Sequence, residues 1–431
     1  MKTIYDMVGI GIGPFNLGLA ALAQSKTKLK CMFFDQNESF NWHTGMLLNG
    51  TKLQVPFHAD LVTLADPRSP FSFLSYLQAK GALFRFTIRE VYYPLRKQYN
   101  DYCRWVAGQL KSLQFSSKCQ QISLDKKHKC YAIQIYSNKT RRKKIYLAKR
   151  IVLGVGTRPN IPSCITSELQ NVFHSEDYLQ KKEVLTHCKR VTIVGSGQSA
   201  AEIFDDLLSK NKSIHWITRS ARFFPLDYSK FALEMTSPDY IDHFYSLAPE
   251  AKSRILSQQS NLYKGINEEL ISTIYDKLYE SSLEEPVERK YHLVPGCTLQ
   301  QVCQSGASLS CTFFHNETNS TFSNSTDALI LATGYKYGIP NFIGPLKPTI
   351  RWDSQGKYNV HRNYSIDNDN SLFIQNGEMH THGFNAPDLG MGPYRNAVIL
   401  NTILEKEVFK IEKNVPFQNF GGGGDATESN N

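Results

Sequence analysis

Short β-branched runs alternate with longer apolar-periodic ones through most of this chain. Val8 to Ile10, Lys30 to Asp35, Arg150 to Gly156, Val191 to Val194, Ser213 to Thr218 and Asp327 to Ala332 each read as a buried strand of three to seven residues. Two of them run into a glycine turn and then a helix. Gly11-Ile12-Gly13-Pro14 precedes Leu17, Leu19, Ala20 and Leu22; Gly195-Ser196-Gly197-Gln198 precedes Ile203, Phe204, Leu207 and Leu208. Strand–turn–helix context is what turns a weak Gly-x-Gly match into a strong one, and here it occurs twice. From about Asp227 to Glu288 the strand pattern gives way to Ile241, Phe244, Tyr245, Leu270, Ile271, Ile274 and Leu278 at helical spacing, which predicts a small helical lid. The second sheet is expected to resume over Tyr291 to Phe314. A loop and closing helix are expected over Asn376 to Glu405, and a disordered Gly-rich tail over 421–431.

The charge beyond each turn separates two ligands. Glycine lets the backbone approach a pyrophosphate, which then rests on the helix N-terminus. Asp35 lies 22 residues beyond Gly13, where a carboxylate accepts from ribose hydroxyls and repels a 2′-phosphate. Arg219 lies 22 residues beyond Gly197, where a guanidinium can fork onto a 2′-phosphate. The first turn therefore suits FAD and the second NADPH. The expected fold class is α/β, with two Rossmann-like dinucleotide-binding domains and a small helical substrate-binding region. Residues 1–188 and 326–431 are assigned to FAD, 189–226 and 289–325 to NADPH, and 227–288 to the helical region. Thr157 to Pro162 and Thr333 to Tyr335 read as the crossings between the two domains.

Composition narrows this little. At 431 residues the chain can hold two or three cores, and 41% hydrophobic with 20% charged residues is ordinary. The net charge of +10 is scattered, its densest cluster (Lys139 to Lys144) reading as a hairpin tip, so no nucleic-acid partner is inferred. Nine cysteines without a Cys-x-x-Cys indicate neither zinc nor a disulfide framework and fit a reducing cytoplasm. The first strand begins almost at once, leaving no expected signal peptide, and no apolar run reaches the length of a membrane span. No metal is expected. A homo-oligomer, dimer or tetramer, is.

Several further motifs carry a family resemblance. Gly11-Ile12-Gly13-Pro14-Phe15-Asn16-Leu17, Asn41-Trp42-His43, Gly45-Met46-Leu47, Leu53-Gln54, Asp66-Pro67-Arg68-Ser69, Phe173-His174-Ser175, Gly195 to Ser199, Ala332-Thr333-Gly334-Tyr335 and Thr381-His382-Gly383 occur in order. Together they resemble the N-hydroxylating flavoprotein monooxygenases of hydroxamate siderophore synthesis, over nearly the whole chain. The resemblance implies that NADPH reduces FAD, that the reduced flavin captures dioxygen as a C4a-hydroperoxide, and that a primary amine takes the distal oxygen. The cofactors carry this chemistry, so no protein nucleophile is required and no catalytic side chain is assigned. By the same resemblance Gly11, Gly13, Pro14 and Asp35 hold FAD, with Trp42, His43, Gln54 and Leu389 nearer its ring. Gly195, Gly197, Gln198, Ser199, Arg219 and Tyr263 hold NADPH. Asn16 stands where many flavoproteins have a third glycine.

Departures from the family pattern bear on the substrate. The ornithine and lysine enzymes carry a lysine where this chain has Ala59, and it pairs with the amino acid's carboxylate. Ser237 and Leu262 align with asparagines that serve the same amino acid. A carboxylate in such a pocket without its partner costs roughly several kcal/mol. Asp388, within Pro387 to Gly392, introduces a carboxylate suited to the second ammonium of a diamine, although Asp is also a preferred helix cap. The stretch to Asn396 resembles the putrescine and cadaverine hydroxylases. The expected substrates are therefore such a diamine and dioxygen, with L-lysine N6- or L-ornithine N5-hydroxylation as the alternative. Outside that class stand an uncoupled NADPH oxidase and a flavin redox protein; a disulfide reductase would need a cysteine pair that Cys31 and Cys103 do not supply.

Overall fold

Strand β1 (Ile4–Ile10) has four consecutive fully buried residues, the mark of a central parallel strand covered on both faces. It pairs in parallel with β2 (Cys31–Phe34) on one side and with the C-terminal half of β3 (Arg142–Leu153) on the other. The N-terminal half of β3 instead closes an antiparallel meander with Cys130–Ser137 and Ser117–Asp125, whose turn covers the basic cluster at 139–144. Helix α1 (Pro14–Lys26) packs on one face of this sheet. Its Leu17, Leu19 and Leu22 lie in the same core as Ile399, Leu400 and Ile403.

A second, five-stranded parallel sheet has its own core. Its strands are β4 (Val172–His174), β5 (Arg190–Val194), β6 (Ser213–Ile217), β7 (Tyr291–Val294) and β8 (Ala328–Leu331), in the order β7-β6-β5-β8-β4. Ile203, Phe204 and Leu207 cover one face. The other is covered by a three-stranded antiparallel sheet (Cys297–Ser305, Ser308–His315, Ser320–Thr326) through Cys311 and Phe313. The chain returns to the first sheet as β9 (Leu372–Ile374), parallel to β3. The structure, a computed structural model, describes residues 3–208, 210, 212–284 and 290–421. The tail expected to be disordered lies outside the described residues from position 422. Among the described residues no helix is long and apolar enough to cross a membrane.

Two expectations change. Both β4 and β8 belong to the second sheet, although they fall inside the segments 1–188 and 326–431 assigned to the first domain. The crossings lie just outside them. Thr157–Pro159 pairs antiparallel with Tyr335–Tyr337, and the Asn160 amide donates to the Gly334 carbonyl at 2.9 Å. The reason is that a parallel strand's neighbour is chosen by its crossover, not by proximity in sequence. The helical interruption is likewise not one lid. Ile241 joins the first core and Phe244 packs with Phe384, whereas Ile274 and Leu278 pack on the second sheet's core.

Candidate functional site

At the end of β1 the backbone of Gly11 turns with φ +88°, a conformation that favours glycine, and a Cβ there would lie 2.2 Å from the Gly154 carbonyl oxygen. Gly13 is the N-cap of α1, Pro14 is its first helical residue, and no side chain caps the amides behind them. Nothing lies within 4 Å of where a Gly13 Cβ would sit. The turn thus offers uncapped amides and room for an anion. Asp35 stands at its edge: one carboxylate oxygen accepts from the Ile12 amide at 2.7 Å and the other from Asn37 at 2.8 Å. Asn16, in the third-glycine position, is buried and donates to the Gly11 carbonyl at 2.8 Å, while Gln375 donates to its Oδ1 at 2.7 Å.

Trp42 and His43 lie on a loop before the short turn Thr44–Met46. His43 takes φ +51°, its ring edge-on to Trp42 at 4.4 Å and to Tyr335 at 5.8 Å. His43 is solvent-accessible, but protein crowds its ring, and that desolvation first, then the Arg96 guanidinium, lowers its pKa to about 4. The imidazole is therefore uncharged near neutrality. Leu389 lines a narrow recess, with room for about one water, together with Pro14, Phe15, Asp60, Leu61, Tyr99 and Gly392 at the first turn. Gln54 reaches across instead: its Nε2 donates to Gln198 Oε1 at 3.3 Å and to the Gly265 carbonyl at 3.2 Å.

The second turn repeats the backbone device. Gly195 has φ +141°, and a Cβ there would stand 2.1 Å from the Ala332 carbonyl oxygen. Gln198 opens helix α2 (Gln198–Leu208), with Ser199 beside it half-buried. Arg219, just beyond β6, is exposed and makes no hydrogen bond or ion pair among the described residues. Tyr263 stacks on Phe384 at 6.3 Å, with the Lys264 ammonium 4.8 Å from its ring.

Ala59 and Asp388 share one wall. A Cβ on Gly390 would lie 3.4 Å from the Ala59 methyl and 3.1 Å from Asp388 Oδ1. Asp388 Oδ1 accepts from the Met391 amide at 3.1 Å, at the start of helix α3 (Met391–Leu404), so the capping role is real. Burial pushes the Asp388 carboxyl above the usual range; the guanidinium that eases it, Arg395, is already paired with buried Glu378. Tyr228 lies close enough for Asp388 to help raise its hydroxyl's pKa, after burial and Tyr93. Its hydroxyl donates to the Gln54 carbonyl, and its ring is 6.5 Å from that of Tyr93. Ser237 and Leu262 have other partners. The Ser237 hydroxyl is buried as the cap of Pro238–Ser246, accepting from Tyr240 N at 3.3 Å, and Leu262 packs with Tyr240, Phe244 and Phe384.

Sequence reasoning missed Tyr93 and Tyr228, which carry no local motif, and the polar ties that join distant segments. The cysteines form no pair: all nine are free thiols, and burial raises the Cys31 thiol to about 12 and Cys103 well above its ordinary value.

Comparison with known proteins gives a consistent result. Residues 3–337 match the family model described as L-lysine 6-monooxygenase/L-ornithine 5-monooxygenase. The putrescine N-hydroxylase of Shewanella oneidensis is 44% identical over 423 residues, 97% of this chain and 84% of that protein. Among solved structures, the FAD-bound cadaverine monooxygenase of desferrioxamine biosynthesis from Erwinia amylovora is 43% identical with a TM-score of 0.96, covering 98% of this chain and all of that one. An ornithine N-hydroxylase from Kutzneria, solved with reduced FAD, NADP⁺ and L-ornithine, is 27% identical with a TM-score of 0.86, over 94% of this chain and 99% of that one.

Proposed function

Because the chain belongs to the L-lysine 6-monooxygenase/L-ornithine 5-monooxygenase family, we propose that it N-hydroxylates a primary aliphatic diamine, putrescine or cadaverine, for hydroxamate siderophore synthesis. The reaction is R–NH₂ + O₂ + NADPH + H⁺ → R–NHOH + H₂O + NADP⁺. FAD, reduced by NADPH, supplies the activation of dioxygen. The residues fit both cofactors. Gly11, Gly13, Pro14 and Asp35 would hold FAD at the uncapped first turn, with Trp42, His43 and Leu389 toward its ring. Gly195, Gly197, Gln198, Ser199 and the unpaired Arg219 would hold NADPH, with Tyr263 nearby.

One observation carries the substrate reading: a carboxylate, Asp388, stands beside Ala59 without a cation of its own. A diamine's distal ammonium would supply that cation, and the partly buried pair would hold the chain at one end. Ala59 gives no charge to an amino acid's carboxylate. At the other end the attacking amine must be neutral, and exclusion of water by Trp42 and the apolar wall lowers its pKa. His43, uncharged near neutrality, adds no positive charge against it. The reducing cytoplasm is the proposed compartment, in keeping with nine free thiols, and a homo-oligomer the proposed assembly.

Hydroxylated product should be quantified with putrescine, cadaverine, ornithine and lysine. The diamines should lead; a lead for either amino acid would sink the Ala59 argument. Putrescine and cadaverine differ by one methylene, a discrimination of roughly 10-fold or more either way. Asp388→Asn should raise KM for the diamine about 10- to 100-fold while flavin reduction keeps its rate, since losing a charged partner is worth about 1.5–3 kcal/mol. In the wild type the sign comes from the raised carboxyl pKa. KM is flat above it and climbs as pH falls through it, because protonation removes the anion. Ala59→Lys would place an ammonium against Asp388, and diamine turnover should drop by about the same factor.

A further inference from the structure

A buried ion pair crosses between the two nucleotide units, and the proposed function does not use it. Arg96 belongs to the helix Arg96–Ala107, in the first unit, and Glu202 to α2 in the second. The guanidinium forks onto the carboxylate, Nη1 to Oε2 at 2.8 Å and Nη2 to Oε1 at 2.7 Å. Arg96 is 9% exposed and Glu202 4%. Each partner is also tied to a loop that faces a cofactor. Arg96 Nη1 donates to the Met46 carbonyl at 2.8 Å, at the end of the short turn Thr44–Met46 next to His43. Glu202 Oε1 accepts from Gln198 Nε2 at 2.9 Å, and Gln198 Oε1 accepts from Gln54 at 3.3 Å and from the Asn267 amide at 2.8 Å. An unbroken polar path thus runs from the His43 loop through Arg96, Glu202 and Gln198 back to Gln54.

We propose that Arg96 and Glu202 are positioning residues that fix the angle between the two nucleotide units, and with it the registry of the nicotinamide against the flavin. The inference rests on the monooxygenase reading, but its observable is the interface itself. A buried pair of this kind is a poor source of stability, since taking two charges out of water offsets their attraction. Its contribution is direction. A bidentate fork has one good geometry, whereas an apolar contact tolerates sliding. With the fork removed, NADPH still binds through Arg219, but its nicotinamide end is no longer held in register. NADPH oxidation and amine hydroxylation then separate, with dioxygen leaving as hydrogen peroxide.

The test compares Arg96→Met/Glu202→Leu, which removes both charges together, with Arg96→Lys, which keeps the charge and loses the fork. FAD content and thermal midpoint report whether each variant is folded. Hydrogen–deuterium exchange on the FAD-loaded protein without NADPH should show residues 43–47 and 198–204 exchanging at least about ten-fold faster in both variants. Hydroxylated product per NADPH should fall several-fold, with a matching rise in peroxide, while KM for NADPH changes less than about three-fold. A folded variant with wild-type exchange and wild-type coupling overturns the proposal. Should the double variant not fold, Arg96→Lys alone decides by the same measurements. If the wild-type protein hydroxylates none of the amines, the function reading fails, while exchange and the rate of flavin reduction still judge the pair.

Discussion

The two glycine turns are alike in backbone but differ in the charged side chain beyond each, bonded at the first and unpaired among the described residues at the second. Gly11 and Gly195 both turn with positive φ against a carbonyl at the end of a neighbouring strand, Gly154 in one case and Ala332 in the other. At the first turn every selective side chain is already bonded: Asp35 holds the Ile12 amide, and Asn16 ties the Gly11 carbonyl to Gln375. At the second, Arg219 is exposed and unpaired among the described residues, and Gln198 faces across the interface. A ligand at the first turn meets preformed contacts and little reorganisation. A ligand at the second is drawn in by an uncommitted cation and can leave again. The difference suits a resident flavin and an exchanging coenzyme.

The comparison can be broken most severely at the shared device. Gly11→Val would put a side chain about 2.2 Å from Gly154 at φ +88°, so the variant should purify without bound FAD. Gly195→Val should lose NADPH oxidation by more than about 100-fold and yet remain yellow, since the clash it creates lies against Ala332 of the second sheet. Loss of flavin from both would show that the turns are not separable; bound-flavin absorbance and stopped-flow reduction decide. A smaller effect sharpens the asymmetry. Arg219→Ala should raise KM for NADPH about 10- to 100-fold and leave KM for NADH within about two-fold, because only the 2′-phosphate contact is lost. Equal losses for both coenzymes would remove Arg219 from that role. The smallest effect belongs to Asp35→Asn. The amide oxygen can still accept from Ile12, so FAD affinity measured by titration of the apoprotein should fall only about three- to ten-fold.

How far the site was legible in sequence obeys the same division. Asp35 and Arg219 fall just past strand ends, as expected, because strand and helix lengths in a βαβ unit fix how far the next strand's end lies from the turn. Leu389, assigned by resemblance, lies against Pro14 at the first turn. Val172–His174 fell inside the first-domain bounds without being read as a strand, and Ala328–Leu331 was read as a strand whose apolar run does not say beside which partner it lies. Ser237 aligned with a substrate ligand but sits where a helix begins, and the cap takes its hydroxyl. Asp388 carries both readings at once, capping α3 with one oxygen while standing against Ala59.

From the order of its residues alone this chain determined two glycine turns that each open a helix, and the distinct charge beyond each; the lysine absent at position 59 is legible only beside the family resemblance. All are local, written within one strand–turn–helix unit or one loop. Only the tertiary structure decided that Glu202 would meet Arg96, 106 residues away, that Gln54 would touch Gln198, and that the Tyr228 hydroxyl would donate to the Gln54 carbonyl. Such pairings depend on how two separately folded cores are set against each other. No periodicity records that angle, because it is fixed by the burial of polar groups that must find partners across the interface.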